Sequence, residues 1–176
     1  MIFLPTNLRG ACIIDPQRLE DDRGFFARTF CQEEFAVHGL KADFVQCNIS
    51  FNVRKGTLRG MHYQDKPHEE AKLVRCTRGS IFDVIVDIRK ESATYRKWIS
   101  TKLTADDHRM LYIPEGFAHG FQTLEDGSEV FYQMSEMYRP ECARGIRWND
   151  PVFDIAWPLP NPIISARDAG YPDFAS

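Results

Sequence analysis

Short strand-like segments separated by turn residues constrain the fold of this 176-residue chain more than any other feature of its sequence. The segments are rich in β-branched and aromatic residues and recur at roughly 8–12-residue intervals, which is typical of antiparallel sandwiches and barrels. The predicted strands are residues 44–50, 57–64, 71–76, 80–88, 97–103, 110–113 and 130–135. Because long segments of helical periodicity are almost absent, we predict an all-β sandwich or barrel.

Three stretches depart from the strand pattern. Residues 33–38 are predicted to form a short helix that is closed by Gly39. Thr104 is expected to cap a helical turn over residues 104–109. Prolines concentrate in residues 151–176, so we expect an irregular arm that wraps over the barrel and does not continue the sheet.

Charge and cysteine usage exclude several classes of partner. Lys and Arg number 22 against 25 Asp and Glu and form no basic stripe, so neither nucleic acid nor an acidic membrane surface is expected. No apolar stretch approaches the ~20 residues of a membrane span, and no signal-peptide pattern is present. The five cysteines include no C-x-x-C pair, as in reduced proteins of the cytoplasm. Since no repeat or linker interrupts the chain, we expect one cytoplasmic domain over residues 1–176.

Asp126-Gly127 is the strongest hairpin signal in the chain. With these two residues as the turn, Phe121 is predicted to pair with Tyr132 and Thr123 with Val130. The side chains that would then share one face are His119, Phe121, Thr123, Val130, Tyr132 and Met134. Polar rings among apolar neighbours indicate either a pocket lining or core residues with satisfied polar atoms, and the pattern leaves both open.

Titratable side chains at apolar strand positions are the candidates for chemistry. His62 follows a glycine in RGMHYQ, and Lys72 is a lone ammonium in the apolar run of EEAKLVRC. Asp83 and Asp87 share a strand face with isoleucines, where a carboxylate either pairs with a cation or serves a site. Each of them alone is more often a structural residue, whereas the whole set on neighbouring strands favours a site.

Three chemistries are compatible with these residue types. A metal site would use His62, His68, Glu69 and His119, but the close H-x-H spacing with a nearby carboxylate is absent. A nucleophilic triad lacks a G-x-S-x-G motif. Proton abstraction next to a carbonyl requires a base, a donor for the enolate oxygen and an acid on the opposite face, which His, Lys and Tyr can supply. The residues favour the third chemistry without deciding for it.

Long motifs along nearly the whole chain resemble the dTDP-4-dehydrorhamnose 3,5-epimerase family. They are RGFFART from Arg23, FVQCNIS from Phe44, TLRGMHYQ from Thr57, EEAKLVRCTRGSIFDVIVDIR from Glu69, LYIPEGFAHGFQTL from Leu111, and then GIRWNDP and ISARD. The resemblance implies a cupin-like double-stranded β-helix, or jelly-roll barrel, that assembles as a homodimer. It also implies epimerisation, without a metal or organic cofactor, of carbons that flank the ketone of a nucleotide-linked 4-keto-6-deoxyhexose.

The resemblance implies roles for individual side chains. His62 matches the catalytic base, Asp168 the carboxylate that orients it, and Tyr132 the proton donor on the opposite face. Lys72 matches the cation beside the sugar ketone. The implied substrate-binding residues are Arg23, Phe26, Arg28, Gln46, Asn48, Arg59, His119, Tyr138 and Arg167.

Some positions do not follow the resemblance directly. Arg59 and His62 have opposite parity on one strand, so both reach a pocket only if Gly60 introduces a bulge or twist. Arg28 and Ala143 stand where the family usually has glutamates. Because an arginine only donates hydrogen bonds, Arg28 predicts a weaker affinity for dTDP or a preference for another nucleotide.

The sequence leaves alternatives to this prediction. A metal-dependent cupin is one, and a non-catalytic sugar-nucleotide-binding barrel is another, although a pure binder needs no base and acid on opposite faces. Within the family, epimerisation at C3, at C5 or at both depends on how the sugar lies against the base.

Overall fold

The computed structural model describes residues 1–174, which form two facing β-sheets, a separate two-stranded hairpin and two short helices. The strands are β1 (Ile2–Pro5), β2 (Cys12–Asp15), β3 (Arg18–Asp21), β4 (Gly24–Ala27), β5 (Gln46–Asn52), β6 (Thr57–Gln64), β7 (Lys72–Arg78), β8 (Ser80–Asp87), β9 (Trp98–Thr104), β10 (Met110–Ile113), β11 (Phe117–Thr123), β12 (Ser128–Met134), β13 (Ala143–Gly145) and β14 (Ile163–Ile164). The helices are α1 (Gln32–Val37) and α2 (Ala166–Ala169).

The strands are arranged as a jelly-roll barrel, which confirms the predicted fold class. One sheet has the order β1-β2-β10-β7-β12-β5, and the other has the order β13-β6-β11-β8-β9. β3 and β4 form a separate hairpin. The strands predicted over 57–64 and 110–113 have those bounds in the structure. Among residues 1–174, no helix is long and apolar enough to cross a bilayer.

The first helical prediction is confirmed, and the second is confirmed only as a capped turn. α1 lies where a short helix was expected, and Gly39 follows it with a φ of 68° and donates its N–H to the Ala36 carbonyl at 2.9 Å. Thr104 instead ends β9, and a turn follows it. Its hydroxyl still accepts a hydrogen bond from the Asp107 N–H at 3.2 Å, so the capping contact forms without a helix.

The predicted pairing of residues 117–123 with 128–134 is wrong. The structure has a turn at Asp126-Gly127, but β11 and β12 belong to different sheets: Phe121 lies opposite Asp83, and Tyr132 opposite Asn48. The turn residues reverse the chain, whereas the partner of each strand is set by packing in the complete barrel. The two strands still line one interior, because their sheets face each other.

The C-terminal arm is mostly irregular, as expected, but one part of it does extend a sheet. β14 pairs in parallel with β6, and the Ile163 N–H donates to the Gly56 carbonyl at 2.9 Å. Ile163 and Ile164 can pair in this way because each has a backbone N–H, which proline lacks. The last two residues of the predicted arm, 175 and 176, lie outside the described part of the chain.

The strand β8 is buried on both faces, and this burial explains why its sequence is a nearly continuous apolar run. Ile81 and Ile85 pack between the sheets, while Val84 and Val86 pack on the outer face against residues of the C-terminal arm. The side chain of Asp87 points to the same side as the isoleucines. Burial raises its pKa, but hydrogen bonds from neighbouring residues outweigh burial and lower the pKa to about 2. Those donors are Arg89, Ser92 and Thr94.

Candidate active site

A cavity of about 650 Å³ opens between the two sheets. The first sheet contributes strands β5, β7 and β12 to its wall, and the second sheet contributes β6, β11 and β13. Its polar side chains include Gln46, Asn48, Ser50, Arg59, His62, Glu70, Lys72, His119, Tyr132, Tyr138, Arg144 and Arg167. Most of the sequence-predicted site residues are therefore brought together at this central cavity.

Gly60 allows both Arg59 and His62 to reach the central cavity. His62 lies opposite His119, but Arg59 lies opposite Phe121, so the register shifts at this point in the ladder. Gly60 has a φ of 133°, and a Cβ added there would lie 2.5 Å from the Gly120 Cα. Only glycine fits this conformation and this close approach. Arg59 and His62 have opposite parity, and the bulge or twist that was therefore predicted at Gly60 is confirmed.

His62 forms a hydrogen-bonded pair with Asp168. Its Nε2 lies 2.9 Å from the Asp168 Oδ1, while Oδ2 accepts the Gly60 N–H at 3.1 Å. Asp168 lies on α2, and its own N–H donates to the side chain of Ser165, the residue that caps this helix, at 3.1 Å. The C-terminal arm therefore brings this carboxylate to β6.

The hydrogen bond between these two side chains decides which ring nitrogen of a neutral His62 can accept a proton. Burial raises the pKa of Asp168, but the hydrogen bond and charge of His62 and the Gly60 N–H bring it below its ordinary value. An ionised Asp168 only accepts, so it holds a proton on Nε2 and leaves Nδ1 of a neutral imidazole as the acceptor. The His62 side chain is 41% exposed, so it is open to a ligand.

His119 forms a second pair, with Asp83. The Nε2 of His119 lies 2.9 Å from Oδ2 and 3.1 Å from Oδ1 of this carboxylate. Asp83 is fully buried on β8. The two carboxylates of β8 thus have different partners: Asp87 pairs with the cation Arg89, whereas Asp83 contacts His119, which lines the cavity.

Tyr132 and Lys72 lie on the sheet opposite His62. Burial raises the pKa of Tyr132, the charge of Glu70 adds to this rise, and Arg59 opposes it. The phenol is therefore protonated at neutral pH and can donate. Lys72 is 9% exposed and its Nζ lies 2.8 Å from the Glu70 Oε1.

The other predicted binding residues fall into two groups. Gln46, Asn48, Arg59, His119, Tyr138 and Arg167 line the central cavity. Arg23, Phe26 and Arg28 do not line the cavity of their own chain. Arg23 pairs with Asp21 in the β3–β4 hairpin, and Arg28 pairs with Glu34 at 2.8 Å. Within one chain, these three predicted contacts to the site are not made.

Two charged residues of the cavity wall were not predicted from the sequence. Glu70 precedes Lys72 by two positions, and this spacing could have signalled a shared strand face. Arg144 lies on β13 opposite Tyr63, and its guanidinium pairs with Asp65 at 3.0 Å. No local pattern places Arg144 at the cavity, because β13 reaches it through pairing with β6. Ala143, one of the departures from the family pattern, also lines the cavity.

The histidines that the sequence offered as metal ligands are instead paired with separate carboxylates. His62 pairs with Asp168 and His119 with Asp83, while His68 lies 3.6 Å from the carboxylate of Glu136. Across residues 1–174, no three His, Cys, Asp or Glu side chains are grouped as the ligands of a metal ion would be.

The jelly-roll barrel places an accessible His–Asp pair on one sheet and a protonated tyrosine on the other, so a proton acceptor and a proton donor face one cavity from opposite sides. The family model described as dTDP-4-dehydrorhamnose 3,5-epimerase matches residues 5–176. The chain belongs to the dTDP-4-dehydrorhamnose 3,5-epimerase family and is an epimerase.

Individual relatives agree with this assignment over nearly their whole length. The dTDP-4-dehydrorhamnose 3,5-epimerase of Methanothermobacter thermautotrophicus is 47% identical over 173 residues, which cover 96% of this chain and 92% of the relative. A crystal structure of the Bacillus anthracis enzyme with TDP and PPi bound has a TM-score of 0.95 at 39% identity, covering 98% and 99% of the two chains. The Legionella pneumophila enzyme in complex with dTDP-4-keto-L-rhamnose has a TM-score of 0.89 at 37% identity, covering 97% and 90%.

Proposed function

We propose that this protein epimerises a dTDP-linked 4-keto-6-deoxyhexose, of the dTDP-4-dehydro-6-deoxyglucose type, at carbons next to the ketone. The observation that carries the proposal is the His62–Asp168 pair facing Tyr132 across the central cavity. The TDP and the dTDP-4-keto-L-rhamnose bound by two relatives support the nucleotide and the sugar class. The product would supply deoxysugar biosynthesis, and we place the reaction in the cytoplasm within one domain over residues 1–176.

Proton removal is the first step of the proposed reaction. Nδ1 of His62 takes a proton from C3 or C5, and the electron pair of the broken C–H bond moves toward the C4 ketone, whose oxygen becomes an enolate. Asp168 stabilises the imidazolium that forms, because its ionised carboxylate lies 2.9 Å from Nε2. The ammonium of Lys72 stabilises the enolate oxygen, and the low exposure of Lys72 strengthens that interaction.

Proton return from the other side inverts the carbon. Tyr132 lies on the sheet opposite His62, so its phenol approaches the planar enolate from the opposite face. The phenol donates its proton to carbon as the enolate collapses to the ketone. The tyrosinate then regains a proton from solvent, and the imidazolium of His62 releases its proton to solvent. Arg59 and Arg167 line the same cavity and provide cations for the diphosphate.

We further propose that the protein is a homodimer. β5 is an edge strand of its sheet, and the outward side chains Ile49 and Phe51 are 64% and 48% exposed. Phe26 in the β3–β4 hairpin is 68% exposed. Natural proteins cover such edges and apolar patches, and a second copy would do so here. The hairpin would then carry Arg23, Phe26 and Arg28 toward the partner's cavity. Light scattering that shows a stable monomer at working concentration would contradict the dimer.

The reaction is tested with dTDP-4-keto-6-deoxyglucose in heavy water. NMR follows deuterium at C3 and C5, and a reductase added afterwards traps the configuration of the product. We expect deuterium at an inverted carbon, and the labelled position shows whether C3, C5 or both are epimerised. Absence of both exchange and inversion in folded protein that binds dTDP would support the non-catalytic binding barrel.

A further inference from the structure

We infer that Glu70 binds the hydroxyl group next to the sugar ketone, so that Glu70 and Lys72 together recognise an α-hydroxy ketone. Glu70 lines the central cavity, and its side chain is 4% exposed. Its Oε1 lies 2.8 Å from the Lys72 Nζ. Its Oε2 is buried and has no hydrogen-bond partner among residues 1–174. This inference rests on the proposed function.

An unpartnered carboxylate oxygen in a cavity wall indicates a missing donor. Buried polar atoms nearly always have a hydrogen-bond partner, because leaving one unsatisfied costs its desolvation free energy. An ionised carboxylate only accepts hydrogen bonds, so the group that completes Glu70 must carry an O–H or N–H. A ligand in the cavity can supply that donor, because both Glu70 and the reacting groups face the same space.

The pair of Lys72 and Glu70 matches the chemistry around the ketone. Lys72 offers three N–H donors, one of which is used by the Glu70 Oε1, and the rest can serve the ketone oxygen at C4. Glu70 offers an acceptor beside that ammonium. In a 4-keto-6-deoxyhexose the ketone has a hydroxyl on one side only, at C3, since C5 carries the ring oxygen and the methyl group. The ketone oxygen, an acceptor, would thus meet the ammonium of Lys72. The neighbouring C3 hydroxyl, a donor, would meet the carboxylate of Glu70.

An electrostatic effect on Tyr132 supports this position of Glu70. Its negative charge adds to the effect of burial in raising the pKa of Tyr132, so Glu70 lies within electrostatic range of the proposed proton donor. The C3 hydroxyl would therefore be held between the cation at the ketone and the tyrosine. Glu70 is in this view a specificity-determining residue that selects sugars hydroxylated at C3.

The test compares two substrates and three proteins. The substrates are dTDP-4-keto-6-deoxyglucose and its 3-deoxy analogue, and the measurement is kcat/KM for solvent exchange at C5, or at C3 where only C3 exchanges. In wild type we expect the hydroxylated sugar to be preferred roughly ten- to hundredfold, as for one hydrogen bond to a charged group. Glu70→Gln places an amide nitrogen at the position of Oε2, because Lys72 holds the oxygen, and the preference should fall below about fivefold.

Glu69→Gln is the matched control, since the same change is made one residue away, where the side chain does not line the cavity. It should keep the wild-type preference. Equal rates for the two substrates in wild type would overturn the inference without any variant, so the test does not depend on the folding of Glu70→Gln. A full preference retained by folded Glu70→Gln would overturn it as well. Exchange of neither substrate by wild type would instead contradict the proposed function, and the inference with it.

Discussion

The two histidine–carboxylate pairs of the cavity are neighbours in the structure but differ in their surroundings. His62 on β6 and His119 on β11 lie directly opposite each other in the antiparallel ladder. The His62 side chain is 41% exposed, and that of His119 is 10% exposed. Asp168 comes from the C-terminal arm, whereas Asp83 lies fully buried on the neighbouring strand β8.

We propose that this difference separates a pair that exchanges protons with a ligand from a pair that stabilises the fold. The accessible pair has a ring nitrogen free for substrate, because Asp168 contacts only Nε2 and uses its other oxygen on the Gly60 N–H. The buried pair places both oxygens of Asp83 near one nitrogen of His119, inside the sheet. We therefore expect substitutions at the His62 pair to act mainly on turnover, and those at Asp83 to act mainly on stability.

The largest effect is expected at the proposed base. His62→Ala removes the group that accepts the proton, and general bases typically contribute about 10²–10⁴-fold to rate. Turnover of dTDP-4-keto-6-deoxyglucose should fall by at least the lower of these factors, while calorimetry should show dTDP binding close to that of wild type. His38→Ala, an exposed histidine outside the cavity lining, serves as the control. Deuterium exchange at C3 or C5 that survives His62→Ala would refute the assignment of the base.

Loss of the proton donor should separate exchange from inversion. Tyr132→Phe keeps His62 and its carboxylate, so the substrate can still lose a proton and regain one from the same side. We expect inverted product to fall about 100-fold with exchange largely retained, measured by NMR in heavy water. Tyr95→Phe, outside the cavity lining, is the control. Parallel loss of exchange and inversion would show that Tyr132 does more than donate a proton.

A smaller loss is expected when the carboxylate that pairs with His62 is neutralised. Asp168→Asn removes the counter-charge of the imidazolium, so kcat should fall about 10- to 100-fold and the acid limb of the pH profile should move to lower pH. The pKa of Asp168 in the folded protein lies below its ordinary value. Its ionised form therefore stabilises the fold above the ordinary pKa of about 3.9, and this stabilisation is lost as the pH falls through the lowered value. An acid limb unchanged by Asp168→Asn would argue against coupling of this carboxylate to the base.

The buried pair should respond in stability instead. Asp83→Asn weakens a charged hydrogen bond inside the sheet, and we expect the free energy of unfolding to fall by about 1.5–3 kcal/mol. Denaturant unfolding of Asp83→Asn and Asp168→Asn, measured side by side, provides the check. If Asp168→Asn is the less stable of the two, the proposed division between a reacting pair and a holding pair is wrong.

The smallest effect is expected outside both pairs, at Arg28. This residue bonds Glu34, which also binds the N-terminal ammonium, and it does not line the cavity of its own chain. We expect dTDP affinity to rise several-fold in Arg28→Glu, with Lys90→Glu as an exposed control for charge reversal. Calorimetric titrations with dTDP, UDP, CDP and GDP decide the nucleotide. A clear preference for dTDP in wild type that Arg28→Glu does not improve would exclude a role for Arg28 in nucleotide choice.

The local features of the fold could be predicted because they depend on neighbours in the sequence. The alternation and β-branched composition of β6 and β10 gave their bounds, and the glycine after α1 marked the end of that helix. The bulge at Gly60 could also be predicted, since two residues of opposite parity had to reach one cavity. In the same way, Asp83 and Asp87 could be recognised from the sequence as the two carboxylates in the otherwise apolar strand β8.

The sequence by itself determined the strand content, the family and the residue types of the site, because periodicity and motifs depend only on residues that are close together in the chain. Only the tertiary structure decided that β11 and β12 lie in different sheets, that Asp83 bonds His119, and that Glu70 and Arg144 reach the cavity. A turn signal or a single charged residue carries no information about its distant partner. Those partners are fixed when the two sheets pack and the arm closes over one of them, because burial is then shared among residues far apart in the chain.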